Sequence, residues 1–312
     1  MMIDNKIIPA NTPFVLDGTA TDPDTTPPLD TLTYQWDQMD AGCPTDSSSF
    51  GTDNGSNALF RSYLPRGDSW RNFPALGTQV QAGYDKAEVL PCQNRDLNFR
   101  LTARDGNSGQ DTEDVRISVD NSAGPFKITS LNPPPPTPIT AGVPFAVNWD
   151  VANTDLPPVN CAKVDFDLIS FSAGYPSYTI LPLGAADDSN DGSEFVTLDP
   201  LTANPNSTPH TLSRVRVKCR DNIFYAISDT DLRVEGDMVS ADNSIIDTEF
   251  TTYFPENTLI TSSVPPSCGP VVDCTATTAS VSGGKSGGSG AFDYLWLLLM
   301  TGLIALVKLY RR

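Results

Sequence analysis

Two short acidic segments hold the residues of this chain best suited to chemistry. TATDPD carries Asp22 and Asp24, and RDGNSGQD carries Asp105 and Asp111. If both segments lie at one pole of a β-sandwich, four carboxylates converge there. With carbonyls and water they would suit a hard cation that takes six to eight oxygen ligands, so calcium is the candidate cofactor. The competing reading is ordinary turn chemistry, which Asp-Pro-Asp and Asp-Gly supply equally well. A third acidic stretch, DDSNDGSE at 187–194, lacks the full spacing of a calcium loop and reads as a hairpin turn.

Catalytic constellations are harder to assemble. The single histidine, His210 in NPNSTPHT, reads as an exposed loop residue. An HExxH zinc peptidase needs two helical histidines and a glutamate, which this chain cannot supply. No G-x-S-x-G elbow accompanies His210. The chain itself is therefore read as non-catalytic. Its formal net charge of −18 argues against nucleic acid, because phosphate binding needs clustered Lys and Arg. The charge suits an exported protein kept apart from its neighbours.

Six cysteines, Cys43, Cys92, Cys161, Cys219, Cys268 and Cys274, are dispersed without a C-x-x-C. Such pairs fit disulfides in an oxidising compartment better than zinc. An Ig-like strand order would bring Cys43 to Cys92 at one pole and Cys161 to Cys219 at the other. Cys268 and Cys274 would close the loop CGPVVDC. The expected bonds are 43–92, 161–219 and 268–274.

The elements that must position these residues are strands. In LTYQWDQM, Leu32, Tyr34 and Trp36 alternate with Thr33, Gln35 and Asp37, giving one buried and one wet face. Residues 12–20, 32–39, 97–104 and 113–120 form one set of strands. Residues 126–131, 144–152, 162–171, 193–198, 212–219 and 231–236 form a second, with PPPP at 133–136 between its first two members. VPFAVNW echoes TPFVLDG, and CRDNIFYAISDTDLRV echoes TARDGNSGQDTEDVRISV. The fold class expected is all-β: two tandem Ig-like sandwiches at 1–122 and 123–236. A Ser/Thr-rich flexible stalk follows at 237–281 and a terminal segment at 282–312. Residues 43–92 are read as long loops with short strands. Trp36 and Trp149 are core residues, while Trp70, beside the tripeptide Arg66-Gly67-Asp68, is a loop residue placed to touch a partner.

The terminal segment SGGKSGGSGAFDYLWLLLMTGLIALVKLYRR carries 14 uncharged residues from Tyr294 to Val307, between Asp293 and Lys308. It reads as a single transmembrane helix over about 291–308, short for a permanent span of about 20 residues. The basic residues Lys308, Arg311 and Arg312 would stay cytoplasmic.

With Gly283, Gly284, Gly287 and Gly288 ahead of the helix and Lys308, Arg311 and Arg312 behind it, this segment resembles the GlyGly-CTERM sorting signal of Gram-negative bacteria. The resemblance implies type II secretion, transient residence in the inner membrane and cleavage near the glycines by a rhombosortase-type intramembrane protease. Delivery to the cell surface, or secretion, would follow. Lys285 interrupts the glycine run and leaves the cleavage position open. Glycine before a short helix suits a protease that must unwind its substrate there.

TPFVLDGTATDPD, LTYQWDQMDAG, LNFRLTARDG, GPFKITS, PFAVNWDVANT and CRDNIFYAISDTDLRV resemble a second family over residues 5–236. It is the region that follows the catalytic domain of secreted reprolysin-like zinc metallopeptidases. The first module also resembles PKD and cadherin-like domains. No zinc ligand or catalytic glutamate transfers, because the family's catalytic residues lie upstream of the matching region. The start MMIDNKIIPANTPF lacks the basic and apolar regions of a signal peptide. Together these imply the C-terminal piece of a longer protease: a non-catalytic accessory and anchoring region that contacts a substrate or surface. The alternative is a stand-alone cell-surface adhesin that binds an unknown protein or surface ligand.

Overall fold

The computed structural model describes residues 5–22, 32–43, 45, 49–80, 84–132, 134–135, 137–171, 178–185, 187–199, 203–204, 210–235, 237–238, 261–262 and 266–271. By contacts the chain divides into a unit spanning Met1–Val272 and another spanning Asp273–Arg312. The second unit lies outside the described residues, and with it the expected transmembrane helix and the residues Gly283, Gly284, Gly287, Gly288, Lys308, Arg311 and Arg312. Among the described residues no helix is long and apolar enough to cross a membrane.

The described body is all-β apart from one helical turn. Its first half supplies β1 (Ile7–Pro9), β2 (Phe14–Asp17), β3 (Thr33–Gln38), β4 (Thr52–Asp53) and β5 (Trp70–Phe73). Helix α1 (Leu76–Val80), β6 (Tyr84–Asp85), β7 (Arg95–Arg104) and β8 (Gln110–Asp120) complete it. The main sheet runs β1-β8-β7-β3, with β1 parallel to β8 and the other neighbours antiparallel. β2 and β5 form a separate antiparallel pair. Phe14 of β2 and Phe73 of β5 meet Phe99 of β7 and Phe60 in one aromatic cluster, with ring centroids 4.7 Å to 6.2 Å apart. Each such pair contributes about 0.5–1.5 kcal/mol beyond its buried area, so this cluster holds the two layers together.

The second half supplies β9 (Lys127–Ile128), β10 (Phe145–Asp150), β11 (Val164–Phe171), β12 (Tyr178–Ala185) and β13 (Ser193–Leu198). It continues with β14 (Ala203–Asn204), β15 (His210–Cys219), β16 (Tyr225–Ile227), β17 (Leu232–Val234) and β18 (Asp237–Met238). The large sheet runs β16-β15-β11-β12-β13-β10-β9, with β17 also on β15, and every pairing in it is antiparallel. His210 begins β15 opposite Val234, a correction to its reading as a loop residue. β12 is a strand that the sequence reading left out. Its continuous run YTILPLGA gives no clear alternation, yet Tyr178, Leu181 and Leu183 are buried.

The expected alternation is clearest at the two tryptophans. Trp36 is 4% exposed and donates its indole N–H to Ser69 O at 2.8 Å. Trp149 is 4% exposed and donates to Asn190 Oδ1 at 2.8 Å. The Asn190 amide in turn donates to Thr154 Oγ1 and Cys161 O. Both rings are core residues with a satisfied polar end, which burial of an indole requires.

The two halves do not hang as separate beads. One apolar cluster runs from Ile8, Phe14 and Phe99 through Phe126 to Trp149, Phe166 and Val217. A second joins Leu76 and Val80 of α1 to Ile169, Phe171 and Tyr178. Backbone bonds cross the junction from Val15 N to Ile223 O and from Tyr225 N to Pro13 O, both at 2.9 Å. Trp70 opens β5 and packs on the second cluster, with the Arg66 guanidinium 4.5 Å from its ring. That corrects its reading as an isolated loop residue, because the surface it offers is largely taken by the chain itself.

The segment expected to be a stalk is partly folded. β19 (Thr261–Ser262) pairs antiparallel with β6, and β20 (Ser267–Cys268) pairs parallel with β4. The chain therefore returns from the second half to the first. The physical reason is a set of polar anchors: Gly269 N donates to Asp53 O at 2.9 Å, Gln93 Nε2 donates to Gly269 O at 2.5 Å, and a disulfide joins Cys92 to Cys268.

Candidate functional site

The returning strap closes one side of a cleft at the junction of the halves. The cleft, of about 490 Å³, is bounded by α1, the 84–92 segment, Pro125–Lys127, Ala226–Asp229 and Pro266–Cys268. Its size lies in the range of ordinary small-ligand sites. Pro13, Pro74, Leu90 and Phe126 line it with apolar residues, and Thr78, Gln79, Asp85 and Glu88 are the polar residues beside it, the last two with side chains wholly buried behind its wall.

These polar groups are held by local turn chemistry. Asp85 Oδ1 accepts from Ala87 N at 2.8 Å, and Glu88 N donates to Asp85 O at 3.1 Å, so the aspartate shapes its own turn. Glu88 Oε2 accepts from Ala75 N at 2.9 Å, and Glu88 Oε1 takes Arg71 Nη2 at 2.9 Å. Arg71 also donates to Trp36 O and Arg61 O, and lies over the rings of Tyr63 and Phe73. Gln79 Nε2 donates to Pro74 O and Tyr225 Oη, which leaves Oε1 without a donor. Thr78 Oγ1 and Asp85 Oδ2 also make no hydrogen bond. The nearest cation to Asp85 Oδ2 is Arg61 Nη1 at 3.8 Å.

Burial pushes the Glu88 carboxyl up to about 7, against the opposing pull of Arg71 and the Ala75 amide. The Asp85 carboxyl is raised in the same direction by burial, opposed by the Ala87 amide and Arg61. In both, loss of water outweighs the neighbouring cation, the usual result when a carboxylate is fully enclosed.

The four aspartates proposed for calcium fare differently. Asp105 Oδ1 accepts from Asn107 N at 2.7 Å and Gly109 N at 2.9 Å, so it builds the β7–β8 turn. Asp111 sits on β8 opposite Ala103 and accepts from Thr112 N. Asp22 is half-buried at the end of the segment following β2, and Asp24 lies outside the described residues. Among the described residues no group of three or more His, Cys, Asp or Glu is placed to hold a metal. In the 187–194 hairpin Asp187 caps Ser189, and Asp188 pairs with Lys163 and Arg220.

Of the expected disulfides, Cys161–Cys219 is present, with Cα atoms 5.8 Å apart. Cys92 is bonded to Cys268 with Cα atoms 6.1 Å apart, which overturns both the 43–92 and the 268–274 pairings. Parallel pairing of β20 on β4 carries Cys268 to Cys92, so neither sulfur is left for the expected partner. Cys43 is disulfide-bonded, and Cys274 lies outside the described residues.

Asp85, Glu88, Thr78 and Gln79 were not singled out from the sequence. They fall in the 43–92 stretch, where neither strand nor helix periodicity is legible. The only local signal is an acidic pair three residues apart.

No family model matches the chain, and no curated protein matches it. Among solved structures it is similar to the fibronectin(III)-like modules of Clostridium thermocellum CbhA, with a TM-score of 0.24, 9% identity, 75% of this chain and 91% of that one covered. It is similar to Bacteroides ovatus SGBP-B in complex with a mixed-linkage heptasaccharide, with a TM-score of 0.20, 8% identity and coverages of 74% and 43%. It is also similar to the human Desmocollin-1 ectodomain, with a TM-score of 0.20, 13% identity and coverages of 76% and 36%. The chain thus spans under half the length of the last two.

Proposed function

We propose that this chain is a non-catalytic extracellular module whose fused β-body binds a partner or surface while its C-terminal segment directs it to the cell exterior. The observation that carries this reading is the pair of long-range disulfides, Cys92–Cys268 and Cys161–Cys219. Bonds of that kind persist in oxidising compartments and are rare in the cytosol. The finer reading rests on the two sequence resemblances. The chain is the accessory region of a surface-sorted metallopeptidase, released near Gly283–Gly288 by a rhombosortase-type protease after type II secretion.

Two measurements separate the parts of this proposal. Surface biotinylation of cells making the chain from its native locus, followed by non-reducing mass spectrometry, should recover the oxidised body outside the cell. Recovery of only cytosolic, reduced chain would refute export. The mature C-terminus should lie near Gly283–Gly288, and deletion of the rhomboid-type protease should leave the Tyr294–Val307 stretch attached. Reading the DNA upstream of Met1 tests the protease association: an HExxH-encoding frame with a signal peptide supports it, and an unrelated gene with a normal intergenic gap opposes it.

The stand-alone adhesin reading is favoured by one observation, a built cleft inside the body itself. Binding of a cell-surface ligand by the full chain in the absence of any protease would support it.

A further inference from the structure

We infer that Cys92–Cys268 is a redox latch: reduction of this one bond frees residues 266–271 from the rim of the junction cleft while the rest of the body stays folded. The inference goes beyond the reading of the chain as a binding module and needs no ligand. The bonds Cys92–Cys268 and Cys161–Cys219 differ in their surroundings. Cys161 is 0% and Cys219 3% exposed, and both lie inside the apolar cluster that runs through the body. Cys268 is exposed and Cys92 half-buried. A reducing thiolate must reach one sulfur of the bond it breaks, and Cys268 is the sulfur open to it.

Little besides the bond holds this strap down. Ser267, Cys268, Pro270 and Val271 are exposed, Val271 at 69%, so the strap buries no apolar side chain. Among the described residues its remaining ties are the two-residue pairing on β4, Gly269 N to Asp53 O, Gln93 Nε2 to Gly269 O, and Thr52 Oγ1 with Ser267 Oγ. Hydrogen bonds at an exposed edge exchange readily for bonds to water. The other side of the disulfide is fixed. Cys92 N donates to Asp53 Oδ2 at 2.9 Å, and the buried Asp53 is held by Arg95 Nη1 at 2.7 Å and Gly55 N at 2.9 Å. When the sulfurs part, Cys92 therefore stays with the wall and the strap moves. Pro266, Ser267 and Cys268 line the cleft, so their departure widens its mouth. In the reaction a thiolate of an external dithiol attacks Cys268 Sγ and expels Cys92 as a thiolate. The second sulfur of the dithiol then attacks the mixed disulfide and releases Cys268. Two electrons and two protons pass to the cysteine pair, and the dithiol becomes a disulfide.

The test treats the full-length chain in mild detergent with increasing dithiothreitol, traps thiols by alkylation, and follows amide hydrogen exchange. We expect Cys92 and Cys268 to be alkylated roughly tenfold or more sooner than Cys161 and Cys219. In the chain reduced at that bond, exchange should quicken roughly tenfold or more at 266–271, while the cleft wall at 84–92 and strands β7, β11 and β15 keep their protection. A Cys92→Ser/Cys268→Ser variant should show the same pattern without reductant. Simultaneous loss of both bonds, unchanged exchange at 266–271 after cleavage, or lost protection across the sheets would overturn the latch. So would a double variant that does not fold, because the bond would then hold the body rather than the strap. Export is read separately from surface recovery, so failure here leaves the broader function standing.

Discussion

Cys92 is bonded to Cys268, 176 residues further along the chain. The bond closes a circuit: the chain leaves the first half at Gly124, builds the second sheet, and returns to the first half before its C-terminal segment begins. Around it Thr52 Oγ1 meets Ser267 Oγ at 3.2 Å, and Arg95 Nη1 holds Asp53 Oδ1 at 2.7 Å. A pull on residues beyond 271 is therefore delivered to β4 and Cys92 rather than to the end of the second sheet.

Replacing Cys268 by Ser should release the strap and lower unfolding free energy by about 2–5 kcal/mol. Limited proteolysis should then cut the 261–271 segment ahead of the body. A non-reducing peptide map of the unaltered chain should yield linked peptides 92–268 and 161–219. A 43–92 linked peptide would contradict this arrangement.

Arg71→Met should be among the most damaging single changes, at about 3–5 kcal/mol. It strips the donors from Trp36 O, Arg61 O and Glu88 at once. Glu88→Gln in the same background should recover part of the loss in urea melts, because it removes the buried carboxylate left behind. No recovery would mean that the carboxylate is not the source of the damage.

The Glu88 carboxyl titrates near 7 when folded, against 4.5 for the ordinary group. Between those values the folded state keeps a proton that the unfolded chain has lost. Stability should therefore fall as pH rises from about 4.5 to about 7, by roughly 3 kcal/mol, and level off above that. Burial of Asp85 adds to the slope in the same sense. Urea midpoints measured across this range should show the decline, and Glu88→Gln should flatten it. An unchanged slope in that variant would place its origin elsewhere.

Gly124 sits where the chain passes from one half to the other, at φ +100°, and a Cβ there would stand 2.2 Å from Ala10 O. Gly124→Ala should destabilise the body by at least about 2 kcal/mol, through backbone strain and this clash together. Calorimetry should show the change as loss of one joint transition rather than of one half alone, since the core runs through both.

Much of the strand framework was legible because side-chain alternation and turn residues act over a few positions. TYQWDQ, RDLNFRLTAR and FAVNWD carry that period, and they lie in the expected strands. The turn at Asp105–Gly109 was legible as turn chemistry for the same local reason. β12 gave no alternation to read because its exposed positions hold Pro182, Gly184 and Ala185 rather than polar side chains. The 43–92 stretch, which holds the cleft acids, pairs with partners far away and shows no period of its own.

By itself the sequence determined the all-β character, the two buried tryptophans, the Cys161–Cys219 bond and the acidic, turn-rich surface. Each follows from local patterning or from strands that neighbour one another in the sheet. Only the tertiary structure decided that the halves share a core, that residues 261–262 and 266–271 pair with the first half, and that Cys92 meets Cys268. Those contacts join segments separated by well over a hundred residues, and their register depends on where β4 and β6 leave open edges. A side-chain period does not encode which distant segment will cover an edge. Packing and hydrogen bonding in the finished body select it.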